Sequence, residues 1–377
     1  MNKTLLLLIG FSLTTPNIMG QEIIPALSAR VDTTKTAKKE IYDLYVSYLN
    51  TDPDKAYHNP NWNPAEYDFY LKGQDGKLDR SAYFLYYGMD ANTFFKKSNP
   101  FVLQIDSISS NLYKIKTLFA FEDPKKEVIG ITTLHAKRDI NGDFKLQNTI
   151  GHITENWFSK EIEFIKFIAS PNVEFDEGEA LKAVEFCKEV AEMFDLEITP
   201  FTHFITSSTD ELGTLYNFDY WLYGITGLSN LNLREVYTAH SNTNYPHEFV
   251  HILFPQREKG YAPKIIKEGI ATWLAGPSYD QTYKEAKAEV VIDLKKFDSV
   301  TFDKIYNQEI RNSHDSNILY VAGAILCELA YDIKGKEAIM QLYYTDESTV
   351  KETLEKIFEL SYEEIGHKVM NKLTQSN

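Results

Sequence analysis

The chain has 377 residues, of which 43% are hydrophobic, and it carries a formal net charge of −15 at pH 7. Its length suits two domains of ordinary size and its composition provides substantial hydrophobic cores, which excludes a disordered or fibrous protein. So acidic a surface repels nucleic acid and anionic membranes, and because no basic cluster offsets it we expect neither as a partner.

The first 20 residues have the pattern of a secretory signal peptide. A positive start at Lys3 precedes an apolar run over residues 4–13, which is too short to span a bilayer, and residues 16–20 then break the run. No later segment is long and apolar enough to be a membrane span. We therefore expect a soluble protein exported to the periplasm or the extracellular space; a buried first helix is the alternative interpretation of these residues.

Residues 21–157 are predicted to form a small α+β domain. A helical period over residues 37–50 gives way to a period of two, which is typical of strands. The alternating segments are residues 102–108, 113–121, 127–135 and 144–152. Asn141-Gly142 between the last two is a strong hairpin signal. A helix followed by a curved antiparallel sheet suits a cone-like fold of the nuclear-transport-factor type.

No chemistry is predicted for this first domain. Its histidines His58, His135 and His152 have no partners at ligand spacing, so we interpret them as structural. The two cysteines of the chain, Cys187 and Cys327, each lie in an amphipathic helical pattern. We interpret them as small buried residues, with a disulfide as the alternative.

Residues 158–377 are predicted to form a second domain, also α+β. Strands are expected over residues 161–169, 200–206 and 232–238. A helix is expected over residues 177–196, with Leu181, Val184, Ala191 and Phe194 facing inward. The C-terminal part is mainly helical: one helix covers residues 316–333 and ends at Gly335, and a capping box at residues 361–364 opens the last helix.

The central motif of this second domain is His247-Glu248-Phe249-Val250-His251. Residues four apart on a helix lie on the same face, so the two imidazoles can grip one metal ion, while Glu248 can reach a water on that ion without ligating it. Pro246 suits the first position of a helix, where its missing N–H costs nothing. A catalytic zinc site takes three protein ligands and a water, so the sequence must supply a third ligand.

Glu268 is the candidate third ligand. It lies in a second helical segment that stops at Gly276-Pro277, and its neighbours Ile265, Ile266 and Ile270 are apolar. A carboxylate in such a segment needs a partner, because burying it alone is costly. The sequence therefore predicts one zinc ion (Zn2+) held by His247, His251 and Glu268.

His247-Glu248-x-x-His251 followed by Glu268-Gly269-Ile270-Ala271 resembles the gluzincin metallopeptidases, whose third zinc ligand is a Glu on the next helix. The string is closer to the aminopeptidase N-like branch than to thermolysin, whose Asp four residues after the ligand Glu is replaced by Thr272. It is most similar to the peptidase MA-like domains of secreted bacterial proteins. The resemblance covers roughly residues 160–345 and implies a small sheet ahead of a helical catalytic domain.

The resemblance also implies an oxyanion donor. The aminopeptidase N-like family carries a Tyr-x-x-Gly-Ala string after its ligand Glu, and Tyr320-Val321-Ala322-Gly323-Ala324 matches it. The family's Gly-x-Met-x-Asn motif has no counterpart upstream of the zinc helix; the nearest string, residues 88–92, lies in the other domain and is treated as chance. An endopeptidase is therefore at least as consistent with the sequence as an aminopeptidase.

These residues together predict a secreted zinc metallopeptidase that acts on a peptide or protein substrate. Glu248 would be the general base and Tyr320 the oxyanion donor. Two alternatives stay open: a zinc-stabilised binding or adhesion module that does not cut, and a zinc hydrolase of a non-peptide amide or ester. His203 and His240 lie near the motif, but we interpret them as structural rather than substrate-binding.

Overall fold

The computed structural model describes residues 22–53, 58–73, 77–86, 88–121, 127–255, 262–310 and 317–375. The predicted signal peptide and the predicted helix start at Ser316 lie outside these ranges. The described chain is α+β, with two sheets and helices concentrated in its C-terminal third. None of its described helices has the length and apolar character needed to cross a membrane.

Eleven strands are present in the described ranges. They are β1 (Ala26–Leu27), β2 (Phe101–Ser109), β3 (Leu112–Ala120), β4 (Val128–Arg138), β5 (Phe144–Gln147), β6 (Phe158–Ile162), β7 (Ile165–Ala169), β8 (Phe201–Ile205), β9 (Phe218–Trp221), β10 (Gly227–Asn230) and β11 (Glu235–Thr238). The helices of the same ranges are α1 (Thr36–Leu49), α2 (Tyr67–Gly73), α3 (Ala82–Leu85), α4 (Ala91–Ser98), α5 (Ile150–Ile153), α6 (Glu177–Phe194), α7 (Thr209–Thr214), α8 (Pro246–Leu253), α9 (Lys264–Ala275), α10 (Tyr283–Leu294), α11 (Phe302–Tyr306), α12 (Asn317–Tyr343), α13 (Val350–Phe358) and α14 (Tyr362–Thr374). A 3₁₀ turn at Pro64–Glu66 precedes α2.

The first sheet contains the antiparallel strands β2, β3, β4 and β5 that the alternating pattern predicts. Helix α1 packs against β2 and β5, and Gly142, in the β4–β5 turn, has a φ of +90° that favours glycine. The nuclear-transport-factor interpretation stays a prediction. Two strands were not predicted for this sheet: β1 pairs parallel with β2, and β9 pairs with β4.

The predicted strand over residues 144–152 is wrong beyond Gln147, where the chain turns into α5. Beyond Gln147, backbone N–H groups donate to side-chain oxygens instead of forming hydrogen bonds with a neighbouring strand. The Asn148 N–H donates to Glu66, and the Thr149 N–H donates to Asn217 Oδ1 at 3.0 Å. These partners lie far away in the chain, so no local pattern could reveal them.

The second sheet has the strand order β10-β11-β8-β7-β6. The single strand predicted over residues 161–169 is in fact the hairpin β6–β7, with Glu163 at a φ of +52° in its turn. Strand β10, which was not predicted, forms one edge of the sheet. Helix α8 packs against β10 and β11, so the sheet sits directly ahead of the motif helix.

This second sheet is buried on both faces, because successive side chains point to opposite sides. Phe201 and Val236 join a core formed with the C-terminal helices, whereas Phe204 and Tyr237 join a core shared with the first sheet. The rings of Phe204 and Tyr237 stack with centroids 5.2 Å apart. The predicted boundary near residue 158 stays a prediction. A fragment that ends at residue 157 would lack β9 and the side chains of Phe204 and Tyr237, which belong to the core around the first sheet.

The helical half follows the sequence prediction closely. Helix α12 is interrupted at Lys334 and Gly335, and both hydrogen bonds of the capping box at Ser361 and Glu364 are present. In α6 the expectation for Leu181 was wrong, since 54% of this side chain is exposed. Cys187 and Cys327 are buried and free, as predicted.

Candidate metal centre and its cleft

Helix α8 places His247, Glu248 and His251 on one short, buried segment. Pro246 occupies the start of the helix and Tyr245 is its N-cap residue. The rings of His247 and His251, one turn apart, have centroids separated by 4.9 Å. The predicted helix and its spacing are therefore present.

Glu268 on α9 meets both histidines. Its Oε2 lies 3.3 Å from His247 Nε2 and 3.3 Å from His251 Nε2, and the ligand atoms of the three buried residues lie within 4.8 Å of one another. Ligands about 2.0–2.1 Å from a tetrahedral zinc ion lie roughly 3.3 Å apart, whereas charge-assisted hydrogen bonds are shorter, about 2.7–2.9 Å. The arrangement therefore fits a shared cation better than a direct ion pair.

A backbone carbonyl fixes the orientation of His247. Its Nδ1 lies 2.7 Å from the carbonyl oxygen of Gly276, which can only accept, so Nδ1 carries the hydrogen and Nε2 is free to ligate. Gly276 has a φ of +86°, and a Cβ there would collide with the carbonyl oxygen of Gln281. The glycine that the sequence analysis treated as a helix terminator thus also orients a candidate ligand.

The pKa shifts of the three residues suit a site for a cation, because they keep the carboxylate ionised beside two imidazoles. Burial disfavours the charged form of Glu268, but the charge of His251 and the polar contacts with both imidazoles outweigh this effect and hold the pKa of Glu268 well below its usual value. Burial lowers the pKa of His251, whereas for His247 the effect of burial is exceeded by Glu268 and Glu248, which raise its pKa. A metal bound here would displace the proton of His247, so its affinity should fall in acid.

Tyr320 approaches this centre from α12. Its ring lies nearly parallel to that of His247, at an interplanar angle of 11° and a centroid distance of 6.0 Å. The approach depends on two glycines, since a Cβ on Gly269 would lie 2.5 Å from the carbonyl carbon of Gly323. The glycines of the Glu-Gly-Ile-Ala and Tyr-x-x-Gly-Ala strings thus pack together and bring α12 against α9.

The centre opens into a cleft of about 710 Å³. Glu248 and Tyr320 line it together with the three candidate ligands. The other lining residues, which the sequence analysis missed, are Tyr83, Leu222, Tyr223, Gly224, Ile225, Thr226, Gly227, Leu228, Ser229, Tyr245, Lys267, Pro277 and Ser278. Tyr83 and residues 222–229 come from parts of the chain remote from the motif, and residues 227–229 belong to the edge strand β10. A Cβ on Gly227 would collide with the Tyr245 ring, which explains the glycine.

The remaining histidines are not brought to the centre. His203 is buried in the sheet with Nε2 2.8 Å from Thr238 Oγ1, and burial lowers its pKa to about 3. His240 packs beside Tyr279, and His58 stacks on Tyr67. In the part of the chain that the structure describes, the one His/Cys/Asp/Glu group suited to a metal is that of His247, His251 and Glu268.

Comparisons with known proteins find weak structural similarity and no sequence family. No protein-family model and no curated protein matches the chain. Among solved structures the chain is similar to the M1 zinc metallopeptidase from Deinococcus radiodurans, at 11% identity and a TM-score of 0.36. The match covers 58% of this chain and 52% of that protein, so the chain spans about half of its length. Function must therefore be inferred from the site itself.

Proposed function

We propose that this chain is a zinc-dependent metallopeptidase of the gluzincin type, exported from the cell, that hydrolyses peptide bonds. The observation that carries the proposal is the position of Glu268 Oε2, which lies 3.3 Å from the Nε2 atoms of two buried histidines on a neighbouring helix. A catalytic acid–base candidate, Glu248, follows the first of those histidines and lines the same cleft.

The donor set fits zinc. Two imidazoles and a carboxylate are the ligands of many catalytic zinc sites, which keep a further position open. His247, His251 and Glu268 would hold the ion. When bound, zinc lowers the pKa of a water to about 7 and polarises a carbonyl.

Two residues of the cleft supply the proton transfers and the remaining stabilisation. The Glu248 carboxylate would accept the proton of the attacking water and deliver it to the leaving amine nitrogen. The Tyr320 hydroxyl would donate a hydrogen bond to the carbonyl oxygen of the scissile bond as negative charge develops there. Both roles require side chains that face the cleft, and both residues line it.

The edge strand β10 supports a peptide as substrate. It lies at the end of the second sheet and its residues 227–229 line the cleft. An extended peptide can add to such an edge through main-chain hydrogen bonds, which are independent of its sequence. A non-peptide amide or ester would make no use of this strand.

Metal analysis and a peptide digest test the proposal together. Purified protein should contain one zinc per chain and cleave members of a mixed peptide library, and a chelator should abolish cleavage reversibly. His247→Ala, His251→Ala and Glu268→Ala should each lose zinc, whereas His203→Ala, a buried histidine outside the centre, should retain it.

The alternatives predict different results. A zinc-stabilised binding module would hold zinc but cleave nothing, and a hydrolase of other substrates would cleave amide or ester probes but no peptide. Full zinc in all three ligand variants would place the metal elsewhere. Export is tested separately by sequencing the N-terminus of protein collected outside the cytoplasm.

A further inference from the structure

Three large apolar side chains are exposed on the wall of the cleft. Tyr83 is 42%, Leu222 45% and Tyr223 40% exposed, and all three line the cleft that contains the candidate metal centre. We call these three residues the apolar wall. Exposed apolar groups that converge on a cleft with a few polar groups mark a binding site for an apolar ligand group.

Tyr83 comes from the N-terminal half, and a buried arginine ties its segment to the second sheet. Arg80 is fully buried, and its Nε donates to the carbonyl oxygen of Leu215 at 2.7 Å. Its guanidinium lies 3.3 Å from Glu235 Oε2 and also donates to the Tyr237 hydroxyl. Because Glu235 and Tyr237 belong to β11, the position of Tyr83 is fixed relative to the sheet that carries the edge strand.

A second set of contacts holds the wall itself. Phe84, beside Tyr83, is buried, and its ring packs edge-on against Trp221 with centroids 5.3 Å apart. The Tyr223 hydroxyl lies 3.4 Å from the Phe84 carbonyl oxygen, and the rings of Tyr223 and Phe84 are 5.5 Å apart. These contacts hold Tyr223 against the segment that carries Tyr83, and a side chain positioned before a ligand arrives lowers the entropic cost of binding.

We infer that the N-terminal half of the chain completes the substrate-binding cleft, and that the apolar wall binds a large apolar side chain of the peptide. The inference rests on the proposed peptidase function. A peptide extended along β10 would project alternate side chains to either side of its backbone. Those directed at Tyr83, Leu222 and Tyr223 would meet apolar surface, so a Phe- or Leu-sized side chain at one position sets the preference.

The test uses quenched fluorescent peptides that are identical except for one Phe, moved through successive positions of an otherwise small-residue sequence. Wild type should prefer Phe at one position. Tyr83→Ala should raise KM for that peptide about tenfold relative to the change it causes for the all-small peptide, because the lost apolar contact serves only the Phe side chain. Tyr83→Phe should behave as wild type, and Leu222→Ala is a second variant with the same expected signature.

Phe69→Ala is the matched control. Phe69 is another exposed aromatic residue of the N-terminal half, at 47% exposure, and it does not line the cleft. Phe69→Ala should leave KM unchanged for both the Phe-containing and the all-small peptide. The inference is overturned if Tyr83→Ala and Leu222→Ala change KM equally for the two peptides. It is also overturned if the KM values of both variants match those of Phe69→Ala.

Binding of the same labelled peptides to Glu248→Gln, followed by fluorescence anisotropy, separates this inference from the proposed function. If wild type cleaves no peptide, the peptidase proposal fails, but a Phe-dependent affinity that Tyr83→Ala removes would still support the wall. If none of the peptides binds, or if Phe adds nothing to the affinity, the wall is not a peptide-binding surface.

Discussion

Replacing Gly269 by Ala should disturb the candidate metal centre without touching any of its ligands. Gly269 follows Glu268 on α9 and faces the backbone of α12. The added Cβ would lie 2.5 Å from the carbonyl carbon of Gly323 and 2.6 Å from its oxygen, whereas ordinary contacts are 3.4–4 Å. The atoms it meets belong to a backbone and cannot rotate away, so α9 and α12 must separate by roughly 1 Å.

Two effects of opposite sign set the change in stability. Alanine favours an α-helix over glycine by about 0.8–1.0 kcal/mol. Overpacking a closely fitted interior costs about 1–3 kcal/mol, and a backbone collision belongs at the upper end of that range. We expect a net loss of about 1–2 kcal/mol, equivalent to a fall in Tm of roughly 1–3 °C for a chain of this length.

The effect on activity should be larger than the effect on stability. Separating the helices moves Glu268 and Tyr320 relative to each other, and a displacement of about 1 Å in a catalytic site costs on the order of 10²-fold in rate. Circular dichroism melts, zinc content and kcat on one preparation measure all three consequences.

Gly151→Ala is the matched control, because Gly151 is also helical and a Cβ there has no heavy atom within 4 Å. It should be neutral or slightly stabilising. A Gly269→Ala protein with the Tm and kcat of wild type would refute the idea that this glycine contact sets the geometry of the centre.

Four further changes test other parts of the molecule. Glu248→Gln should keep zinc and the fold but lose hydrolysis by about 10²–10⁴-fold, because its amide cannot accept the proton; turnover at the wild-type rate would refute the assigned base. Tyr320→Phe should lower kcat by about 10²–10³-fold with KM and zinc content kept, and an unchanged kcat would leave Tyr320 a packing residue. Arg80→Met should cost about 3–5 kcal/mol in urea unfolding, because it strands the buried Glu235 carboxylate, and Arg80→Met combined with Glu235→Gln should recover part of that loss. Burial holds the pKa of His135 at about 4, below its ordinary 6.5, so the unfolded chain takes up this proton first and stability should fall as the pH drops from 6.5 towards 4. Urea unfolding across that range should show a shallower pH dependence for His135→Gln, and equal slopes would exclude this contribution.

The sequence by itself determined the features that neighbouring residues encode. The spacing of His247 and His251, the Pro at the start of α8 and the capping box of α14 each involve residues within one helical turn. The alternation of β2, β3 and β4 is equally local, and the structure contains all three strands. Glu268 was located through an apolar helical pattern together with a family resemblance.

Only the tertiary structure decided which remote segments meet. Arg80 and Glu235 are 155 positions apart, and the residues around either one do not predict that the two will pair. The turn of the chain into α5 after Gln147 depends on Asn217, and the pairing of β9 with β4 likewise joins distant segments. Such contacts follow from how whole sheets and helices fit together, which is why the wall of the cleft that includes Tyr83 became visible only in the folded chain.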